Sequence, residues 1–260
     1  MRIGRVATAD GIRYCRPEGE GVRLLAGAFG SGLRPDDQLL PAGAFRLSSP
    51  VQPAKVLVVL GAFPRDGDRE AARATPPRFA AKLPSALTAA GDDVIVPAEI
   101  GDAVTIEPEL AVVIGAPLRR ATPAEAADAV LGYTCMNDVT HLPYIREHGD
   151  FLRAKSVDTF GPLGPWIETG ITEEDISAGL TIRAFVDGRL VHAGDTRDFT
   201  HCIGEVVSEA SRFYTLEPGD VISLGTPLDP VTARVGNTVV VEVERVGALE
   251  NRLVAEREAP

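Results

Sequence analysis

Apolar positions in this chain of 260 residues fall mostly into short runs, alternating with polar residues or unbroken, with glycine and proline between them. Residues 1 to 50 read as strands and turns: "MRIGRVAT", then "GIRYCRPE" after Asp10-Gly11, then "GVRLLAG" and the punctuated "SGLRPDDQLLPAG". "SSPVQPAK" reads as a linker. "KVLVVLG", 55 to 61, is a continuous apolar run closed by glycine, the pattern of a fully buried strand. The polar, Pro-rich stretch 62 to 78 predicts a loop with a helical turn at Asp68 to Arg73, and "GDDVIVPAEIGDAVTIEPELAVVIG" predicts turn, strand, turn, strand. Thr122 as N-cap, Pro123 at the first helical position and Glu125 three residues after the cap start a helix that Gly132 should end, before a strand at "YTCMNDV". Asp187-Gly188 centres a hairpin. Residues 200 to 213 predict an amphipathic helix with Ile203, Val206, Val207, Ala210 and Phe213 on one face. "EPGDVISLGTP" and "NTVVVEVERVG" supply further strands. Strands dominate and do not alternate regularly with helices, which argues against a doubly wound parallel sheet. The expectation is an α+β, mostly β chain, with a small β-rich N-terminal domain over 1–50 and a main domain over 51–260.

Composition narrows the function classes. At 45% hydrophobic and 24% charged the chain has ample material for a core. Its net charge of −11 comes without a basic patch, Arg119 and Arg120 being an isolated pair, so a nucleic-acid partner is not expected. Cys15, Cys135 and Cys202 are far apart, odd in number and form no CxxC, which points to a reducing compartment. The N-terminus has no apolar signal-peptide core and no run approaches the ~20 residues of a membrane helix, so a soluble cytoplasmic protein is expected. Trp166 and Cys135 read as packing residues.

Chemistry concentrates at "TIEPELAVVIG", 105 to 115. On a strand Glu107, Glu109, Ala111 and Val113 point one way, which puts two carboxylates about 6–7 Å apart on one face. Either both are wet at a solvated strand end, or a divalent cation sits between them. Asp138 ends the strand of "YTCMNDVT" and could add a third carboxylate or simply cap a turn. Lys155, in "LRAKSVDTFGPLGPW", could anchor a substrate oxyanion or be a surface lysine. Three carboxylates without His or Cys would make a hard oxygen site suited to Mg²⁺, Mn²⁺ or Ca²⁺ rather than Zn²⁺.

Taken in order, "KLPSALTAAGDDVIVP", "EPELAVVIG", "LGYTCMNDVT", "RAKSVDTFGPLGPWI" and "SRFYTLEPGDVISLGTP" resemble the fumarylacetoacetate hydrolase family in both motif order and spacing. The N-terminal segment resembles the small domain that many bacterial members carry. The resemblance implies a mixed β-roll or distorted barrel. It also implies a Mg²⁺ or Mn²⁺ site from Glu107, Glu109 and Asp138, with Lys155 as substrate anchor and Thr226 lining the substrate pocket. Lys82, the lysine of the "KLPSAL" motif, is expected to contact substrate. The substrate would be a small carboxylate or diketone, and the protein a homodimer.

Two departures qualify the chemistry. Hydrolytic members carry a pattern like GxNYxxHxxE after the first core strand, whose histidine and glutamate activate water. The matching "GAFPRDGDRE" has Gly67 at the histidine position and Glu70 at the glutamate, and no histidine occurs in residues 1 to 140. After the ND motif, "NDVTHLPYI" replaces the usual "NDVSARDLQ" and introduces His141, a candidate acid–base group. The family favours metal-dependent C–C hydrolysis through an enolate. The missing histidine keeps open decarboxylation, isomerisation, tautomerisation or hydration at the same site, with Glu70 or His141 as alternative bases. A relative that only binds a ligand is the third reading.

Overall fold

The structure, a computed structural model, describes residues 1–30, 32–64, 69–227 and 231–257. It opens with an antiparallel meander. Strands β1 (Arg2–Thr8), β2 (Gly11–Glu18), β3 (Gly21–Ala26) and β4 (Arg34–Leu40) pair in succession, and a short β5 (Arg46–Ser48) returns to β1. Side-chain alternation collects Val6, Cys15, Val22 and Leu24 on the inner face, with Trp166 packed against them. The stretch that reads as a linker is tied down at its end: the N–H groups of Ala54 and Lys55 donate to Asp220 Oδ1 at 3.1 and 2.8 Å.

The chain continues through β6 (Val56–Leu60), α1 (Arg69–Arg73), β7 (Arg78–Lys82), β8 (Leu87–Thr88), β9 (Asp93–Val96), β10 (Ala103–Ile106), β11 (Pro108–Ile114), α2 (Pro123–Asp128) and β12 (Val130–Asn137). The capping box at α2 forms as predicted, Glu125 Oε2 accepting from the Thr122 N–H at 2.8 Å. Gly132 does not end this helix. It lies inside β12, where a Cβ would stand 2.4 Å from the carbonyl oxygen of Glu168, so the glycine serves close strand approach.

The remaining elements are α3 (Leu142–His148), α4 (Phe151–Lys155), β13 (Gly161–Glu168), α5 (Glu173–Ala178), β14 (Thr181–Val186), β15 (Arg189–Asp195), α6 (Ile203–Phe213), β16 (Val221–Ser223), β17 (Val231–Arg234), β18 (Thr238–Val243) and β19 (Gly247–Ala255). β14 and β15 form the hairpin at Asp187-Gly188. The pattern reading missed β19. Its inward positions are Leu249, Asn251 and Leu253, and the buried Asn251, which donates to the carbonyls of Ala89 and Asp92, hides the apolar alternation.

Strands dominate in mixed sheets, as expected. The large sheet runs β4-β3-β2-β1-β13-β12-β11-β16-β6-β7, with β5 on β1 and β8 on β13; a second runs β15-β14-β18-β19-β9, and β10 pairs with β17. Most pairs are antiparallel, but β16–β6, β8–β13 and β9–β19 are parallel. The large sheet ends at β4 and β7 and does not close on itself, so among the described residues there is no closed barrel. The N-terminal meander is continuous with it through Ile3 opposite Ile167.

All seven residues of β11 are buried because both faces are covered. Leu110, Val112 and Ile114 join Ile203, Val206, Val207 and Ala210 of α6, whereas Ala111 and Val113 pack with Val56, Met136 and Leu163. Each fully buried Leu or Val contributes about 1.5–3 kcal/mol relative to exposure, so β11 is the rigid centre of the molecule. Phe213, expected on the buried face of α6, is the last helical residue and is exposed beside Arg212 and Tyr214.

Candidate metal centre and active site

The antiparallel register of β11 and β12 explains why the two acidic motifs meet. Pro108 lies opposite Asn137 and Glu109 opposite Met136, so the start of β11 and the end of β12 share one edge. Glu107 immediately precedes β11 and Asp138 immediately follows β12. The Asp138 N–H donates to the Glu107 carbonyl at 3.0 Å, and the Asn137 side-chain oxygen accepts from the Glu107 N–H at 3.2 Å. One carboxylate oxygen each from Glu107, Glu109 and Asp138 lies within 4.8 Å of the others. The Asp138 side chain is fully buried and that of Glu107 is 12% exposed, so the cluster opens toward Glu107.

Two lysines reach these acids from opposite sides. Lys155 ends α4, and its ammonium lies 2.7 Å from Glu107 Oε2, contacts Asp138 Oδ2 and donates to Thr140 Oγ1 at 2.8 Å. Lys82 ends β7 and is buried completely. Its ammonium donates to the carbonyls of Phe160 at 2.8 Å, Val139 at 3.2 Å and Lys155, and lies 3.0 Å from Asp138 Oδ1. That last contact is an ion pair, and Asp138 Oδ1 has no hydrogen bond among the described residues. The Lys82 ammonium is thus directed into the protein interior. Its donors are used inside the protein, where it holds Asp138, the end of α4 and residue 160 together. Glu109 is fixed from the other flank, Oε2 accepting from Ser223 Oγ and from the Gly225 N–H at 2.9 Å.

Three carboxylates against two ammoniums leave an excess negative charge in a low-dielectric site. Burial pushes the Glu107 carboxyl up to about 7, with Asp138 adding and Lys155 opposing. Burial, then Asp138 and Glu107, hold Glu109 well above the usual range. For Asp138 burial acts upward, but the ammoniums of Lys155 and Lys82 outweigh it and hold the carboxyl low. Burial pulls Lys82 down and Asp138 opposes. A divalent cation would relieve this repulsion. The donors are all oxygen, with no His or Cys in the cluster, so the residues fit Mg²⁺, Mn²⁺ or Ca²⁺.

The other expected residues fall around this centre at different distances. Thr226 follows Gly225, and its hydroxyl oxygen is buried with no hydrogen-bond partner among the described residues. Glu70 is exposed on α1, a helix tied to the start of α6 by Arg73, which donates to Glu205 Oε1 at 2.6 Å and the Thr200 carbonyl at 3.3 Å. Gly67 lies outside the described residues. His141 precedes α3 with its ring edge-on to Tyr144 at 4.7 Å, and burial lowers its pKa. The chain's other histidines are exposed on α3 (His148), buried on β15 (His192) or bonded to the Thr75 carbonyl at 3.0 Å (His201). The geometry thus joins Glu107, Glu109, Asp138, Lys155 and Lys82, and leaves Glu70 and His141 without a contact to the carboxylates among the described residues. Thr140 and Ser223, which bond the acids directly, were missed. The signal for Thr140 was its place two residues past Asp138, in the same "NDVT" stretch.

Comparison with known proteins gives the site a family. Residues 60–254 match the fumarylacetoacetate hydrolase C-terminal model, and residues 1–50 match the Rv2993c-like N-terminal model. Protein Rv2993c of Mycobacterium tuberculosis is 33% identical, the match covering 98% of both chains. The Bacillus subtilis oxaloacetate tautomerase YisK is 31% identical over 85% of this chain and 78% of its own length. The 4-hydroxyphenylacetate degradation bifunctional isomerase/decarboxylase of Salmonella dublin is 41% identical over 59% of this chain but only 36% of its own length. Among solved structures, the 5-carboxymethyl-2-hydroxymuconate delta-isomerase of Mycobacterium smegmatis aligns with a TM-score of 0.89 at 32% identity, covering 98% of this chain and all of the other. The maleylpyruvate hydrolase of Sphingobium sp. SYK-6, solved with manganese and pyruvate, aligns with a TM-score of 0.78 at 25% identity, covering 99% of this chain and all of the other. The chain belongs to the fumarylacetoacetate hydrolase family.

Proposed function

We propose that this chain is a divalent-metal-dependent enzyme acting on a small 2-oxo acid or β-dicarbonyl compound through its enolate, as an isomerase, tautomerase or decarboxylase. The observation that carries the reading is the cluster of Glu107, Glu109 and Asp138 with the Lys155 ammonium among them. Glu107, Glu109 and Asp138 would hold Mg²⁺ or Mn²⁺, which supplies Lewis-acid polarisation of a carbonyl and so lowers the cost of an enolate. Lys155 brings a fixed positive charge to the same place, suited to the carboxylate or developing oxyanion of the substrate. The Thr226 hydroxyl is free to donate to a substrate oxygen. Lys82 keeps Asp138 and Lys155 in register. Moving a proton or releasing CO₂ needs an electron sink and no base-activated water, which suits a carboxylate cluster that no histidine contacts among the described residues. Tautomerase, isomerase and decarboxylase are also the activities named for several relatives.

C–C hydrolysis is the second reading, favoured by the likeness to the maleylpyruvate hydrolase. It requires a base for water, with Glu70 or His141 brought to the substrate; losing such a base costs about 10²–10⁴-fold. A homodimer, implied by the resemblance, belongs to the proposal and would show as about twice the chain mass of 27.5 kDa in light scattering. The test is a panel of oxaloacetate, acylpyruvates and fumarylacetoacetate with Mn²⁺ or with chelator, read by enol absorbance and product mass. Metal-dependent keto–enol exchange or CO₂ release supports the first reading, and two acid products support the second. No turnover by protein that binds Mn²⁺ would overturn both and leave a ligand-binding relative.

A further inference from the structure

A cavity of about 590 Å³ contains none of the carboxylate cluster. It lies at the seam between the N-terminal meander and the main body. Ile12 of β2, Leu47 of β5, Val51, Pro84 and Leu87 of β8 supply apolar lining from both parts. Its volume is that of a small-molecule pocket, about 300–1,000 Å³, and apolar and polar residues line it in equal number. Ile12 is 53% exposed, a large apolar side chain presented to a concavity rather than buried in the sheet.

The charges of the seam sort into one closed pair and one open cation. Arg46 is spent on Asp92, whose Oδ2 also accepts from the Thr88 hydroxyl at 2.9 Å and the Ala89 N–H at 3.0 Å, so that carboxylate is neutralised and saturated. Arg5 has no carboxylate partner among the described residues. One of its five N–H donors reaches the Ser49 carbonyl at 3.3 Å, and its guanidinium lies 5.8 Å from the Tyr14 ring, which together fix the head while leaving donors unspent. A fixed guanidinium with free donors is a carboxylate receptor, and the walls beside it offer apolar area for the rest of a ligand.

We propose that this seam is a second binding site, separate from the carboxylate cluster, for a small monoanion with an apolar body, its carboxylate on Arg5 and its hydrocarbon part against Ile12, Leu47 and Leu87. An apolar neutral molecule would leave the Arg5 donors unmatched, and a polyanion would meet only one unpaired cation and the Asp92 rim.

Phenylbutyrate and its uncharged analogue phenylbutanol are suitable probes, followed by calorimetry and saturation-transfer NMR on the full chain. The expected result is phenylbutyrate binding that weakens at least about tenfold for the alcohol and for Arg5→Gln. Ile12→Asp, an exposed position whose new charge repels the anion, should weaken it similarly and guards against a folding defect in Arg5→Gln. Glu109→Gln should bind the probe as the unaltered chain does, which separates this site from the carboxylate cluster. Equal binding of acid and alcohol, no binding up to about 10 mM, or loss of binding only in Glu109→Gln would overturn the proposal. So would protection of Ile12 and Leu87 by self-association, since the seam would then be covered by a second copy.

Discussion

At the scale of single residues, the site is defined by how few groups absorb its charge. Lys82 is the clearest case: one ammonium serves three backbone carbonyls and Asp138 from a position without solvent access. Lys82→Met should cost about 3–5 kcal/mol in denaturant unfolding, because it removes one of the two cations on buried Asp138 and leaves three carbonyls without their donor; a loss below about 1 kcal/mol would mean that Lys82 is not the staple. Glu107 gives a pH signature. Its carboxyl is raised from 4.5 to about 7, so over that window the folded chain holds a proton that the unfolded chain has released. Without divalent metal, stability should therefore fall as pH rises from 4.5 toward 7, and Glu107→Gln should flatten the slope. With saturating Mn²⁺ the trend should reverse, because the ion binds the deprotonated acids. A metal-free stability that climbs through this window would contradict the burial argument. The acids and Lys155 could be read from spacing and resemblance. The inward role of Lys82 could not, because it depends on β7, α4 and residue 160 closing over one ammonium.

At the scale of elements, register does the positioning. The pairing of β11 with β12 brings the "EPE" and "ND" stretches together, and the end of β16 hands Gly225 to Glu109. Gly225 has φ +82°, and a Cβ there would stand 2.9 Å from Ala62 Cβ and 3.1 Å from the Val59 carbonyl oxygen. Gly225→Ala should destabilise the chain by about 1–3 kcal/mol and weaken Mn²⁺ binding together with it. A variant with unchanged melting temperature and unchanged Mn²⁺ affinity would show that this turn does not set Glu109. The buried strand β6, the α2 capping box and the β14–β15 hairpin were legible because each rests on local chemistry. The end of α2 was not, since Gly132 answers to the Glu168 backbone across the sheet. Nor was β19, where a buried, hydrogen-bonded asparagine interrupts the apolar alternation. The expectation for the loop 62 to 78 is only partly addressed, because residues 65–68 lie outside the described residues.

At the scale of the whole molecule, the N-terminal meander and the main body share one sheet through β1 and β13, and the carboxylate cluster sits at the β11–β12 end of that sheet, with Lys155 reaching it from α4 and Lys82 from β7. No helix among the described residues is long and apolar enough to cross a membrane. Five ordered motifs made the family legible from sequence, and the fold and the comparisons agree with it. The reaction was less legible: Glu70 and His141, the bases expected from the sequence, lie on α1 and before α3, where this chain departs from the family pattern. All three reactions depend on one claim, that Glu107, Glu109 and Asp138 jointly hold a divalent ion. The most direct measurement is a Mn²⁺ titration followed by electron paramagnetic resonance of the free ion, on the unaltered chain and on Glu109→Gln, with both shown to be folded by circular dichroism. The account predicts about one Mn²⁺ per chain, with affinity falling more than about tenfold in the variant. Equal affinity in the two proteins, or no saturable Mn²⁺ site in either, would contradict it.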